Sequence, residues 1–154
     1  MSDHADFLAA DAVRVGSSAA TKKALFTQFG AMARDALGLD VGLVTERLAA
    51  RERLGSTGFG GGVAIPHAKL AGLPNVTGLL IRLAQPIEFK AVDDLPVDLA
   101  FALFSPTDAG ADHLKALARV SRRLRDPGLV AKLRGAGSSD ALWALWAEGA
   151  RDGS

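Results

Sequence analysis

The chain has 154 residues, a size expected for one domain with its own hydrophobic core. Its formal net charge of +1 gives no reason to expect nucleic acid or an anionic membrane as a partner. It contains no cysteine, which excludes disulfides, thiolate metal ligands and cysteine nucleophiles. No apolar run approaches the roughly 20 residues of a membrane span, and the N-terminus lacks the pattern of a signal peptide, so we expect a cytoplasmic protein without membrane insertion.

The first third of the chain predicts a short strand and two amphipathic helices. Residues 1–10 are expected to be loose or to form a helical turn, and the alternation over 11–15 predicts a strand. Apolar residues at helical spacing predict a helix over 19–37 that ends at Gly38. Asp40 is placed to cap a second helix. The residues expected on the buried side of that helix are Val44, Leu48 and Leu54.

The remainder of the chain alternates strands with helices. Apolar, β-branched runs predict strands over 63–65, 76–84, 86–89 (as a short edge strand) and 97–104. Helical patterns begin near residues 111, 127 and 139, and the last residues, 150–154, are expected to fray. This alternation predicts an α/β layer architecture within a single domain over 1–154.

One segment, residues 51–67, stands out because it places four glycines within five positions. These glycines are followed by a short apolar run, Pro66 and His67. Glycines at this density supply nothing to a core, but they let bare backbone N–H groups approach a bound group closely. Two interpretations are open: an ordinary connection that ends beside a histidine by chance, or an amide-rich loop in front of a reactive histidine.

His67 and His113 are candidates for one shared site. Each is predicted to follow a strand, and functional groups in α/β sheets gather beyond the carboxyl ends of strands. His113 also opens a helix, where free N–H groups and the helix dipole favour an anion. Arg51, at the entrance to the glycine segment, could add a multidentate phosphate donor.

Several familiar chemistries do not fit this segment. A P-loop needs a lysine after the glycines, the dinucleotide fingerprint needs a third glycine where Val63 stands, and the serine hydrolase elbow is absent. A zinc site from His67, His113 and a carboxylate has no ligand spacing in its favour. The hypothesis that remains is a nucleophilic His67, acting on an electrophile such as a phosphoryl group held by glycine amides, Arg51 and His113.

Residues 51–52 and 55–67 closely resemble the phosphohistidine signature of the fructose/mannitol/nitrogen class of enzyme IIA domains in the bacterial phosphotransferase system. Segments 86–89, 96–99 and 113–117 are similar to other segments of that class. The resemblance runs from about residue 18 to the last helix. It implies a single α/β domain with a mixed central β-sheet and helices packed on both faces.

The resemblance also implies a site. His67 would accept a phosphoryl group on Nε2 from an HPr-like phosphocarrier protein, with Arg51 and His113 as supporting residues. His67 must then be neutral, with its other ring nitrogen held by an acceptor. The residues expected to contact the phosphoryl group are Ser56, Thr57, Gly60 and Gly61. No cofactor or metal is implied.

Three functions follow as expectations. Because no IIB or sugar-channel domain accompanies the chain, the first is a regulatory protein of the nitrogen-related type that controls target proteins through the phosphorylation of His67. The second is a IIA component that passes phosphate to a separate sugar-specific IIB, and the third is a binding module that is not phosphorylated. Nitrogen-type members often carry a second histidine two residues after the one at His113, and here that place is Lys115. A phosphohistidine carrier would have no small-molecule turnover of its own.

Overall fold

The computed structural model of the protein describes residues 4–152. The strands are β1 (His4–Ala5), β2 (Leu8–Ser17), β3 (Gly58–Gly60), β4 (Val63–Ala64), β5 (His67–Leu70), β6 (Thr77–Ile87) and β7 (Val97–Pro106). The helices are α1 (Lys22–Leu37), α2 (Val41–Arg53), α3 (Ala111–Leu124), α4 (Pro127–Gly135) and α5 (Ser139–Asp152). The α/β class predicted from the alternation of strands and helices is therefore confirmed.

All the strands belong to one mixed sheet of order β1-β2-β6-β7-β4-β3, with β5 also paired to β7. Strand β7 pairs antiparallel with β6 and parallel with both β4 and β5. Val63 lies opposite Leu99, and His67 lies opposite Leu103. Pro66, which has no N–H to donate, separates β4 from β5. His67 therefore begins a new strand, whereas the sequence predicted only that it would follow one.

Strand β7 forms the centre of the core, and its residues are buried on both sides of the sheet. On one face Phe101 packs against Trp146 of α5, with the rings tilted and their centroids 5.1 Å apart. Helix α1 packs against β2 and β6 and lies along α2. Gly30 allows that approach, because a Cβ there would meet the Thr45 side chain at 2.7 Å. The predicted mixed sheet with helices on both faces is confirmed.

Local capping signals fix the start and end of the first two helices. Thr21 Oγ1 accepts from the Ala24 N–H at 3.0 Å, so α1 begins at Lys22 and not at the predicted residue 19. Gly38 ends α1 in the left-handed conformation (φ 70°), and its N–H reaches the last carbonyls of the helix. Asp40 caps α2 as predicted, accepting from the Leu43 N–H at 2.8 Å.

The prediction that residues 1–10 are loose or helical is wrong for the described residues 4–10, which form β1 and the start of β2. Long-range contacts hold this segment. The Asp6 carboxylate pairs with Arg119 and Arg123 of α3, and the Trp146 indole N–H donates to the Ala5 carbonyl at 2.8 Å. Partners more than 100 residues away leave no local pattern in the sequence. Residues 1–3 lie outside the described part.

Two smaller predictions are corrected at other element ends. Helix α5 continues to Asp152, so residues 150–152 are helical rather than frayed, and residues 153–154 lie outside the described part. The expected edge strand at 86–89 is the end of the central strand β6, with Ile87 opposite Val97 of β7. Phe89 is fully buried against Phe26 instead of lying at an edge.

Candidate functional site

Three separate elements bring His67, Arg51 and His113 together. His67 is the first residue of β5, near the carboxyl end of the neighbouring β7. Arg51 comes from the last turn of α2, and its Nε lies 3.1 Å from His67 Nε2. His113 comes from the first turn of α3, and its ring centroid is 5.6 Å from that of His67. The structure thus unites the residues that the sequence proposed as nucleophile and supports.

Hydrogen bonds define which nitrogen of His67 carries the proton. Its Nδ1 lies 2.9 Å from the Ile65 carbonyl oxygen, which can only accept, so the proton is on Nδ1. The other nitrogen, Nε2, therefore has a free lone pair. That lone pair accepts the Nε–H of Arg51. The ring is fixed with a nucleophilic nitrogen facing a guanidinium.

Both histidines of the site are held neutral. Burial lowers the pKa of His67 below its usual 6.5, the charge of Arg51 lowers it further, and the hydrogen bond to Ile65 opposes them. Burial also lowers the pKa of His113, followed by repulsion from His67 and Lys69. At pH 7 His67 is therefore unprotonated on Nε2, as a nucleophile requires.

His67 opens onto a shallow depression of about 380 Å³. Its lining residues are Arg47, Ala50, Arg51, Leu54, His67, Ala68, Lys69 and His113. The lining carries three permanent cations and no carboxylate, so it favours an anionic ligand. Leu54 is 84% exposed at its rim, so the prediction that it lies in the core is wrong. The residue is the C-cap of α2 and precedes the turn that leads to β3.

Sequence reasoning did not assign Arg47 and Lys69 to the site. Arg47 precedes Arg51 by four residues on the same helix, a spacing that places both on one face. Lys69 follows His67 by two residues on a strand, a spacing that places both on one side of the sheet. These periodicities could have identified the two cations once the elements were known.

Ser56 and Thr57 shape the turn after α2 and do not line the depression. Thr57 is buried, and its N–H and hydroxyl both donate to the Glu52 carboxylate, the hydroxyl at 2.6 Å. Glu52 also accepts from Lys22 of α1 at 2.9 Å. Ser56 Oγ accepts from the N–H of Gly58 at 3.1 Å. This network anchors the turn beside Arg51, which itself donates to the Gly55 carbonyl at 2.9 Å.

Gly60 and Gly61 lie at the other end of the same sheet edge. Gly60 pairs with Val63, and Val63 faces β7 four residues before the position that His67 faces, which is about 13 Å along the strand. The Gly61 N–H donates to the Asp93 carboxylate at 2.9 Å, and its carbonyl accepts from Arg134 at 2.6 Å. The glycines form a tight β-hairpin, and their backbone groups are used within the chain.

The part of the chain that the structure describes was compared with the requirements of a metal site and of a membrane-spanning helix. Among residues 4–152, no group of three or more histidine, aspartate or glutamate side chains is arranged to hold a metal ion. Within the same range, none of the helices combines the length and the apolar character that a bilayer crossing needs. Lys115, in place of the second histidine, lies exposed on α3 and does not line the depression.

The fold and this histidine site together define a class of protein. Residues 6–148 match the family described as phosphoenolpyruvate-dependent sugar phosphotransferase system, EIIA 2. Since this match covers nearly the whole chain, the protein belongs to that family.

Within the family, relatives of the nitrogen regulatory type stand out. The nitrogen regulatory protein of Bradyrhizobium diazoefficiens is 43% identical over 142 residues, which covers 92% of this chain and 93% of that protein. The crystal structure of nitrogen regulatory protein IIA-Ntr from Neisseria meningitidis superposes with a TM-score of 0.84 at 34% identity, over 92% of this chain and 97% of that one. A fructose-specific EIIA component of Haloferax volcanii is 37% identical over 73% of this chain and 77% of its own length. The resemblance inferred from residues 51–67 is thereby confirmed.

Proposed function

We propose that this protein is a cytoplasmic phosphohistidine carrier of the nitrogen-related phosphotransferase system. His67 accepts a phosphoryl group on Nε2 from a phosphorylated histidine of an HPr-like protein. The phosphorylation state of His67 then controls which regulatory partner proteins bind. The observation that carries this proposal is the arrangement of one ring, with Nδ1 held by the Ile65 carbonyl and Nε2 facing Arg51 in a basic depression.

The transfer step is a single displacement at phosphorus. The Nε2 lone pair of His67 forms the new N–P bond while the N–P bond to the donor histidine breaks and its electron pair returns to the donor ring. The His67 ring gains positive charge as the bond forms. The Ile65 carbonyl, which accepts the Nδ1–H at 2.9 Å, stabilises that charge without removing the proton.

Positive groups around His67 supply what phosphoryl transfer most needs, which is positioning and charge stabilisation. The Arg51 Nε–H, which faces Nε2 in the unmodified protein, turns to a phosphoryl oxygen once Nε2 is bonded to phosphorus. Its second donor stays on the Gly55 carbonyl and keeps the guanidinium near the site. Arg47 and Lys69 add to the field that attracts a phosphorylated donor.

A regulatory output fits the chemistry of the surface around the site. A phosphoryl group adds about −1.5 to −2 charges at pH 7 to a depression that is otherwise basic. Two leucines are exposed close in sequence to Arg51 and His113: Leu54 (84% exposed) caps α2, and Leu114 (68% exposed) lies on α3. A partner that docks on these leucines would meet opposite electrostatic fields in the two states of His67.

Labelling by a reconstituted phosphorelay tests the proposal. The protein is incubated with phosphoenolpyruvate, an enzyme I and an HPr-like carrier, and acid-labile phosphate on the protein is measured. We expect wild type and His4→Ala to be labelled equally and His67→Ala to remain unlabelled. An unlabelled wild-type protein would favour the binding module, and a labelled His67→Ala would move the site elsewhere.

The fructose-specific relative keeps a second function open, that of a IIA component for sugar uptake. In that function the phosphorylated protein passes its phosphoryl group to a sugar-specific IIB. Adding purified fructose-type IIB to the labelled protein distinguishes the two. Rapid loss of phosphate from His67 to IIB supports the uptake function, whereas retention of the phosphate supports the regulatory one.

A further inference from the structure

A buried hydroxyl lies beside the site, on the central strand of the sheet. Ser105 lies on β7, is fully buried, and has its Oγ 2.6 Å from His113 Nδ1. Among residues 4–152 this is the one hydrogen bond of the Ser105 side chain. A buried hydroxyl without a partner would be costly, so the pair Ser105–His113 is a built contact between the central strand and the first turn of α3.

Either Ser105 Oγ or His113 Nδ1 could donate the proton of this hydrogen bond. Because both groups are buried, the better arrangement is the one that leaves no hydrogen without an acceptor. If His113 donated from Nδ1, the hydroxyl hydrogen of Ser105 would be buried without an acceptor. If Ser105 donates, its hydrogen is satisfied and only oxygen lone pairs lack a partner, which costs less. Burial lowers the pKa of His113, so the ring is neutral at pH 7 and carries one proton. That proton is then on Nε2.

With its proton on Nε2, His113 presents an N–H donor to the depression in front of His67. His113 Nε2 makes no hydrogen bond within the described residues, and no buried side-chain nitrogen or oxygen there lacks a partner. Nε2 must therefore reach solvent, and it does so where His113 lines the depression in front of His67. An Nε2–H at this place is a donor for an anion, whereas a bare Nε2 lone pair would repel one.

We infer that Ser105 is a positioning residue: its hydroxyl donates to His113 Nδ1 and so presents His113 Nε2–H to a phosphoryl group on His67. This inference rests on the proposed function for its phosphoryl ligand. The assignment of the proton on His113 stands independently of it. Ser105 suits the task because eight of the ten residues of β7 are buried, Ser105 among them, so its hydroxyl is held rigidly.

Nitrogen NMR of the unphosphorylated protein tests the hydrogen bond without any phosphorelay. With ¹⁵N-labelled histidine, we expect His113 to carry its proton on Nε2 and to show Nδ1 as a hydrogen-bonded acceptor. In Ser105→Ala the Nδ1 resonance should move towards that of a free, unprotonated imidazole nitrogen, while the His67 resonances keep the Nδ1–H pattern. A wild-type proton on His113 Nδ1, or an unchanged Nδ1 resonance in the variant, overturns the inference.

The rate of phosphoryl transfer tests the consequence. Ser105→Ala should lower the initial rate of labelling about five-fold, the equivalent of one neutral hydrogen bond. Ser105→Cys, which keeps the size and a weak donor, should recover part of that loss. In a His113→Ala background, Ser105→Ala should have no further effect, because its partner is gone. An equal loss in both backgrounds would show that Ser105 acts through packing alone and would overturn the positioning role.

The two tests separate the inference from the proposed function. If no variant and no wild-type protein accepts phosphate, the phosphohistidine function fails while the NMR result still decides the state of His113. If wild type accepts phosphate on His67 and Ser105→Ala transfers at the wild-type rate, the function stands and the positioning role fails.

Discussion

Strands β4 and β5 both pair with β7, one at each end of the same sheet edge, and the two ends differ in how their charges are paired. At the β4 end the glycine hairpin meets charges that the chain satisfies itself. Arg134 pairs with Asp98 at 2.8 Å, and the Gly61 N–H lowers the pKa of Asp93 by donating to it. At the β5 end, within residues 4–152, neither Arg51 nor Lys69 forms a salt bridge with a carboxylate. The charges at the hairpin are paired within the chain and stabilise it. The cations beside His67 have no such partner among the described residues and are available to an anionic ligand.

The largest expected effect follows from removing the guanidinium at the β5 end. Arg51→Ala should lower the rate of phosphoryl transfer to His67 about 100-fold, in the range seen when one oxyanion donor is lost. Arg51→Lys should recover part of the rate, because lysine keeps the charge but not the fork that contacts both His67 and Gly55. Initial rates of labelling by the HPr-like carrier measure this.

Arg53→Ala is the matched control for Arg51→Ala. It removes the same charge from the same helix end but lies exposed, away from the depression. It should transfer within about two-fold of wild type, since screened surface charges contribute little. Equal rates for the Arg51 and Arg53 variants would show that Arg51 acts only as a surface charge and not as a specific donor beside His67.

Loss of the Glu52 carboxylate, next to Arg51 in the sequence, should lower the stability of the protein. Glu52→Gln leaves the Lys22 ammonium without its partner and places an amide against the donors of Thr57. We expect a loss of about 1–3 kcal/mol in the free energy of unfolding. Urea unfolding measures it, with Glu46→Gln as the exposed control on the same helix, which should change the free energy by less than about 0.5 kcal/mol. If Glu52→Gln left the free energy of unfolding unchanged, the turn would not depend on the Glu52 carboxylate.

A substitution in the glycine hairpin should change stability and leave phosphoryl transfer nearly unchanged. Gly62 has φ 81°, and a Cβ there would meet Asp98 and the guanidinium of Arg134. Gly62→Ala should therefore lose about 1–2 kcal/mol of stability while transferring phosphate within about two-fold of wild type. Gly137→Ala, with open space around its Cβ, is the neutral control. If Gly62→Ala slowed transfer as much as Arg51→Ala, the glycines would belong to the phosphoryl site, as the sequence suggested.

The smallest expected effect is a dependence of stability on pH. Since the pKa values of His67 and His113 are lowered in the folded protein, the unfolded chain binds more protons as the pH falls below about 6.5. Stability should be fully present above that pH and decline between it and the lowered folded pKa values. His67→Gln and His113→Gln should each flatten this decline in thermal unfolding measured from pH 7.5 to 5. A variant that steepened the decline would contradict the direction of the shift.

Local patterns in the sequence predicted much of the fold. The periodicity of residues 19–37, Gly38 and the Asp40 cap fixed two helices, because helix formation and capping depend on neighbours a few residues away. The N-terminal hairpin could not be predicted, because Asp6 is held by α3, more than 100 residues further along the chain. Arg123 of α3 is buried because it is a partner of Asp6, a contact that local periodicity does not predict.

The sequence by itself determined that His67 is the reactive candidate, since its signature of residue types is local and specific. Only the tertiary structure decided which groups surround it. Register against β7 carries Gly60 and Gly61 away from His67, because a strand advances about 3.3 Å with each residue. The same register and the start of α3 bring Ser105 to His113 and His113 to His67. The glycine density left open whether the segment was an ordinary connection or an amide-rich loop at the site, and the sheet places these glycines in a hairpin about 13 Å from His67.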